Sequence, residues 1–276
     1  NDDKPTFALR NRTKSSMRLA IDAVKEHKAD AVISAGNTGA LMAMATIVLK
    51  TLPGISRPAI ASSFPTQAGD SVMLDLGANV ECDSNNLVQF AVMGEVYARN
   101  ELGLSQPSVG ILNVGVEGLK GNDSVRDAAA ILKNSNLPLE FYGFIEGDDI
   151  GKGTVDVIVT DGFTGNIALK TAEGTAQMIA YFLKDALKSS ILSKAGALLA
   201  RPAIEKVRSH FDPRRYNGAL LLGLNGICVK SHGGTDEVGF AHAIQVGVNL
   251  VRRDLNDLIK EDIASVMIEP SQSIIE

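Results

Sequence analysis

Five times along this sequence, a short run of consecutive apolar residues gives way to a loop rich in Gly, Asn, Asp or Thr. Ala31–Ser34 leads into Gly36-Asn37-Thr38-Gly39 and a helical pattern from Leu41 to Lys50. Val72–Asp75 leads into Leu76–Asn79, after which Asp83 or Ser84 caps a helix reaching about Leu102. Val109–Leu112 runs into the Gly-rich stretch Asn113–Asn122. Val155–Thr160 runs into Asp161–Asn166 and a long helix, and Ile227–Lys230 into Ser231–Thr235 and a helix to about Asp262. Ahead of these, Ser15 or Ser16 caps a helix carrying Met17, Ala20, Ile21 and Val24 on one face. Apolar residues on consecutive positions fit strands buried on both faces, and alternation with helices predicts an α/β chain of three αβα layers around a mostly parallel sheet.

The 276 residues, 45% of them apolar, suffice for one large core, and no linker divides them. A single catalytic domain over 1–276 is expected. A net charge of −5 argues against a nucleic-acid partner. Cys82 and Cys228 stand apart without metal-ligand spacing, so neither a metal site nor a disulfide is expected, and a reducing cytoplasm fits. No apolar run approaches the roughly 20 residues of a membrane span. The chain reads as soluble or at most peripheral.

Beyond the carboxyl ends of strands, a helix start offers unpaired N–H groups and partial positive charge to an anion. Glycine allows close backbone approach, while Asn and Thr add neutral hydrogen-bond groups that do not repel phosphate. For any one loop the plain alternative is a turn that only ends a strand; repetition across loops favours a phosphate site. Lys170, one helical turn after Asn166, is a candidate cation. No loop carries the Lys-Ser/Thr ending of a nucleotide P-loop or a Gly-x-Gly-x-x-Gly after a strand. No cofactor is expected.

Five segments together, Ala35–Ala40, Arg57–Ala59, Asp75–Asn79, Asp161–Lys170 and Lys230–Gly234, resemble the bacterial phosphate acyltransferases of phospholipid synthesis, the PlsX family. The match runs across nearly the whole chain in family order, and Asn113–Asn122 looks like the family's acidic Gly-Lys loop with fewer acids. The family opens with a further strand and loop, so this chain reads as missing its N-terminal strand. The resemblance implies a fold like the isocitrate and isopropylmalate dehydrogenases and phosphotransacetylase, and a homodimer. It also implies transfer of a long acyl chain from acyl carrier protein to inorganic phosphate. The acyl phosphate would pass to a membrane glycerol-3-phosphate acyltransferase.

That chemistry suits a chain without a Ser-His-Asp relay. Phosphate has a second pKa of about 6, so at neutral pH the nucleophile is already mostly a dianion. The protein must position it and supply donors for the developing oxyanion. Gly36, Asn37, Thr38, Gly39, Asn79, Asn166, Gly162, Gly165 and Gly233 are candidates for both tasks. His232 either donates a proton to the leaving thiol or only bonds backbone, and sequence leaves both open. Lys230, two residues earlier, would share its side if the strand persists, giving a second phosphate cation. The expected catalytic set is His232, Lys230 and Asn166. Asp75 and Asp161 belong to the site as groups that orient cations or cap helices. Asp257 and Glu261 have metal-pair spacing, which reads more simply as a solvated helix face.

Residues 184–215 form a basic helical excursion, with eight basic residues against three acidic inside an acidic chain. Ile191, Leu192, Ala195, Leu198 and Leu199 make an apolar stripe ended by Pro202. The stripe either packs in the core or a dimer, or touches lipid or acyl chain. Lys194, Arg201, Lys206, Arg208, Arg214 and Arg215 are candidate contacts for acyl carrier protein or an anionic membrane surface. The rivals are an NAD- and metal-dependent decarboxylating dehydrogenase on the same fold and a non-catalytic acyl-carrier or lipid-binding scaffold.

Overall fold

The computed structural model describes residues 5–135, 137 and 139–267. Its strands are β1 (Ala31–Ser34), β2 (Ala59–Pro65), β3 (Asp70–Leu74), β4 (Ser108–Leu112), β5 (Glu140–Ile145), β6 (Val157–Val159), β7 (Ala219–Leu222) and β8 (Ile227–Lys230). The helices are α1 (Pro5–Asn11), α2 (Ser16–Lys25), α3 (Thr38–Leu49), α4 (Ser84–Leu102), α5 (Asp123–Asn134), α6 (Gly147–Lys152), α7 (Gly162–Lys188), α8 (Ile191–Leu199), α9 (Arg201–His210), α10 (Glu237–Arg252) and α11 (Leu255–Met267). A 3₁₀ turn, Pro213–Tyr216, precedes β7.

The helix starts follow from their caps. Ser15, Asn37, Asp83, Asp161 and Asp236 each accept a backbone N–H of the first turn on the side chain. The helix expected to run to about Asp262 is two, because Asp254 takes φ 49° and turns the chain between α10 and α11.

The strands form one sheet in the order β1-β8-β7-β2-β3-β6-β4-β5. Both faces are apolar with period two: Val72 and Leu74 join the core under α4, α5, α10 and α11, while Met73 faces the other way with Ile158 and Leu76. Val32, Leu221 and Cys228 pack under α2 and α3 on that second side. Each fully buried Val, Leu or Ile contributes roughly 1.5–3 kcal/mol, so the two helical layers and the sheet hold one another in place. Helix α4 is the most deeply set, with Phe90, Met93 and Tyr97 sealed against the sheet.

The sheet is mostly parallel, with four parallel pairings (β1–β8, β3–β6, β6–β4, β4–β5) and three antiparallel ones (β7–β8, β2–β7, β2–β3). Every antiparallel pairing involves β2 or β7, the strands that open no strand–loop–helix unit. They reverse the sheet at its middle. Strands β1 and β8 therefore point one way, and β3, β6, β4 and β5 point the other.

Candidate functional site

The reversal divides the candidate residues. The loops after β1 and β8, carrying Gly36, Asn37, Thr38, Gly39, Lys230, His232 and Gly233, lie at one end of the sheet. The loops after β3 and β6, carrying Asp75, Asn79, Asp161, Gly162, Gly165, Asn166 and Lys170, lie at the other. Within one chain His232 and Lys230 are thus together, and Asn166 is not with them.

At the β1/β8 end, Asn37 accepts the N–H of Ala40 at 2.9 Å and opens α3. The N–H groups of Thr38 and Gly39, on the first two helical positions, have no carbonyl within the helix to bond. Across the strand pair, Ser231 N–H donates to Ser34 O at 2.9 Å. A side chain on Gly233 would press on the carbonyl oxygen of Ala35, so the two loops touch. His232 is exposed, and its Nδ1 accepts the N–H of Gly234 at 3.1 Å. A neutral imidazole whose Nδ1 is an acceptor carries its proton on Nε2, so the Nε2–H is a donor turned away from its own backbone. Strand β8 stops at Lys230, so the expected shared side of Lys230 and His232 does not arise. Instead the half-buried Lys230 ammonium donates to the carbonyl oxygen of Ser231, and burial lowers its pKa from the ordinary value.

The β3/β6 end is occupied by its own hydrogen bonds. Asp75 is fully buried and accepts from the N–H groups of Ile60 (2.9 Å), Gly77 (3.1 Å), Ala78 (2.9 Å) and Asn79 (2.7 Å), and from Asn79 Nδ2 (2.9 Å). Burial pushes its pKa up while these bonds oppose the rise. It shapes the loop. Asn79 Nδ2 also reaches Pro58 O at 2.8 Å, and Asn166 Nδ2 donates to Leu76 O at 3.0 Å. Asp161 caps α7 by accepting Thr164 N–H and Oγ1–H, both at 2.8 Å. A Cβ on Gly165 would lie 2.0 Å from Asp75 O and one on Gly162 2.6 Å from Asn79 O. These two glycines let α7 sit directly on the β3 loop. Lys170 is exposed one turn beyond Asn166. Cys82 lies beside this cluster, its thiol pushed up to about 12 by burial and then by Asp75 and Asp161.

Asn217 carried no sequence signal, since an Asn before a Gly is an ordinary turn residue. It is buried, accepts His232 N–H on Oδ1 at 2.7 Å and donates from Nδ2 to Ser231 Oγ at 2.9 Å.

The excursion begins earlier than residue 184, because α7 is one helix of 27 residues. No residue from Asn166 to Tyr216 is buried. The apolar stripe of α8 packs into no core of this chain: Ile191 is 88% exposed and Leu199 85%. Among the basic candidates, Arg214 is committed to Asp212 (2.6 Å) and Asp236 (3.1 Å). Arg215 bonds Ser209 O at 3.2 Å, and Arg208 faces Glu205 at 3.8 Å. Lys194, Arg201 and Lys206 are on the exposed surfaces of α8 and α9. Asp257 pairs with Lys260 at 2.7 Å on the solvated side of α11. Among the described residues, no helix is long and apolar enough to cross a membrane.

A family model described as "Fatty acid synthesis protein" matches residues 1–258. A phosphate acyltransferase of Rhodospirillum rubrum is 60% identical over 270 residues, covering 98% of this chain and 77% of that protein. One of Rhodospirillum centenum is 65% identical over 263 residues, covering 95% and 74%. Among solved structures, a phosphotransacetylase from Streptococcus pyogenes superposes with a TM-score of 0.56 at 19% identity, covering 90% of this chain and 67% of that one. EutD phosphotransacetylase from Staphylococcus aureus gives 0.53 at 18%, covering 92% and 74%. These two likenesses establish the fold.

Proposed function

Since this chain belongs to the phosphate acyltransferase family, we infer that it is a transferase moving a fatty acyl group from acyl carrier protein onto inorganic phosphate, supplying acyl phosphate for phospholipid synthesis. With that membership the dehydrogenase and scaffold alternatives lose their ground.

The observation that carries the site assignment is the contact of the β1 and β8 loops. It sets the start of α3, the Nε2–H of His232 and the Lys230 ammonium on one end of the sheet, while at the opposite end the Asn79 and Asn166 side chains and the loop N–H groups around Asp75 are taken up by the loops themselves. A phosphate dianion bound at Thr38 and Gly39 meets the partial positive charge of the helix start, worth roughly 0.3–1 kcal/mol, and Lys230 adds a cation. A phosphate oxygen attacks the thioester carbon, the carbonyl electrons move onto oxygen, and the C–S bond then breaks. His232 Nε2–H is the donor for the oxyanion or the departing thiolate. The thiol's pKa, about 8.5, makes that proton helpful without being obligatory. Asn166, Asp75, Asp161, Gly162 and Gly165 act in this reading by fixing α7 to the sheet.

The exposed apolar and basic surface of α7 to α9 supports contacts beyond the reaction centre. Exposed apolar area of this extent marks an interaction surface. Met178, Ile179, Tyr181 and Phe182 of α7 suit a second copy of the chain, giving a homodimer. Ile191, Leu192, Leu198 and Leu199, beside Lys194, Arg201, Lys206 and Arg208, suit an anionic membrane surface or the acidic carrier. A peripheral cytoplasmic enzyme handing acyl phosphate to a membrane glycerol-3-phosphate acyltransferase would use both.

One assay tests the reaction. The chain is mixed with acyl-carrier thioester, and thiol release is followed with and without inorganic phosphate. Release that requires phosphate, with acyl phosphate detected by phosphorus NMR, is expected. Release independent of phosphate would overturn the reading.

A further inference from the structure

Within the loop that carries His232 the bonds are short-range, Gly234 N–H to His232 Nδ1 at 3.1 Å and Thr235 N–H to His232 O at 3.3 Å. Residues 232–234 are exposed and two of them are glycines, the residues with most backbone freedom to lose on ordering. The loop's side-chain anchor to the segment before β7 comes from another part of the chain. Asn217 lies between the 3₁₀ turn and β7, 7% exposed. Its Nδ2 donates to Ser231 Oγ at 2.9 Å and to Gly239 O at 2.6 Å, its Oδ1 accepts His232 N–H at 2.7 Å, and its main-chain carbonyl meets His242 Nδ1 at 2.9 Å. The orientation of the carboxamide is forced, because a main-chain N–H can only donate and a main-chain carbonyl can only accept. One side chain thus joins the loop after β8, the first turn of α10 and the segment entering β7.

The segment holding Asn217 is itself clamped. Arg214 bridges Asp212 and the α10 cap Asp236, and Gly218 takes φ 122° so that the main chain passes 3.0 Å from Ala243 Cα, measured from where a Cβ would stand. With the main chain of His232 held by Asn217 and the imidazole held by Gly234 N–H, the direction of Nε2–H has little freedom left.

We propose that Asn217 is a positioning residue for the acyl transfer, holding the Ser231–His232 main chain so that the imidazole Nε2–H stays aimed at the reacting thioester. This rests on the site assignment above. Asn217 itself touches neither substrate. Loss of such a support, with the group it orients still present, typically reduces turnover by roughly 10- to 100-fold.

The test is a double-mutant cycle on the full chain with Asn217→Ala and His232→Ala, reading phosphate-dependent thiol release from an acyl-carrier thioester. In the wild-type background, Asn217→Ala should lower kcat roughly 10- to 100-fold and change KM for phosphate less than about threefold. In the His232→Ala background the same substitution should have almost no effect on kcat, because the group it orients is gone. Nitrogen-15 NMR of His232 should show the Nε2–H tautomer in the wild type and a shift toward a mixture in Asn217→Ala. Equal fold-losses in both backgrounds, or an unchanged kcat, would overturn the proposal. Should Asn217→Ala not fold, the isosteric Asn217→Asp, which keeps the acceptor for His232 N–H and lacks the donor to Gly239 O, carries the same cycle: a loss confined to the wild-type background supports the proposal and equal losses overturn it. A wild type that releases no thiol in response to phosphate refutes the function instead, whereas an active wild type with an additive cycle refutes this inference alone.

Discussion

Two carboxylates, the buried Asp75 and the half-buried Glu101, show how residues of like charge acquire different roles. Asp75 is enclosed by five donors, so its burial is compensated and it organises a loop. Glu101 lies in the last turn of α4, where the helix dipole disfavours an anion, and its Oε2 is buried with no hydrogen-bond partner among the described residues. Burial pushes its pKa up from 4.5, with Arg253 and then His242 pulling against the rise. A carboxyl whose folded pKa is raised keeps its proton to higher pH in the fold than in the unfolded chain. Its contribution to stability therefore falls as pH climbs through the interval above 4.5. Glu101→Gln should melt higher than the wild type at pH 8, because the variant has no charge to leave unpartnered there. The gap should close as pH falls toward the ordinary glutamate value. A wild type that melts higher at pH 8 would mean the carboxylate has found a cation.

Among elements, the three helices α7 to α9 stand apart, since their surface carries both the apolar side chains and the basic excess. Charge reversal at Arg201, Lys206 and Arg208 to Glu should weaken binding to anionic lipid vesicles at least ~100-fold at low salt, at about 1 kcal/mol per basic residue near the surface. The difference should shrink as salt rises, because exposed charges are screened over roughly 10 Å at 0.1 M. Vesicle flotation across a salt series reads both effects, and binding unchanged by reversal would remove the electrostatic contribution. The basic charge and the apolar stripe within residues 184–215 are visible in the sequence; the exposure of α7 ahead of them is not. Continuous helical spacing through Met178, Ile179 and Phe182 does not reveal that α7 has left the core. Of the strands that open a strand–loop–helix unit, all but β5 were equally legible, since each ends in turn residues and a capped helix. Strands β2, β5 and β7 were not. Ala59–Pro65 mixes Ala and Ser with a terminal Pro, Gly143 interrupts β5, and Ala-Leu-Leu-Leu suits helix as well as strand.

Those unread strands decide the layout of the whole molecule. Had the sheet been parallel throughout, all the Gly/Asn/Thr loops would have lain at one end, with His232 and Lys230 still four strand spacings of ~4.8 Å from the loop after β6 that carries Asn166. Because β2 and β7 reverse its direction, the loops form two groups, and their hydrogen bonds differ. The loops after β3 and β6 bond to each other and to α7; those after β1 and β8 keep donors at a helix start and an outward imidazole N–H. Paired variants measure this division. Asn166→Ala, which removes the 3.0 Å bond to Leu76 O, should cost about 1 kcal/mol and lower Tm by roughly 2–4 °C. It should leave kcat and KM for phosphate within about twofold, since a neutral bond inside the scaffold is all that changes. His232→Ala should do the reverse, lowering kcat by about 10²–10³ if its N–H serves the oxyanion, with Tm nearly unchanged because the side chain is exposed. Melting curves and phosphate titrations on the two variants read both quantities. A rise in phosphate KM in Asn166→Ala without a fall in Tm would place the phosphate at the β3/β6 end, and the assignment of the two ends would have to be exchanged.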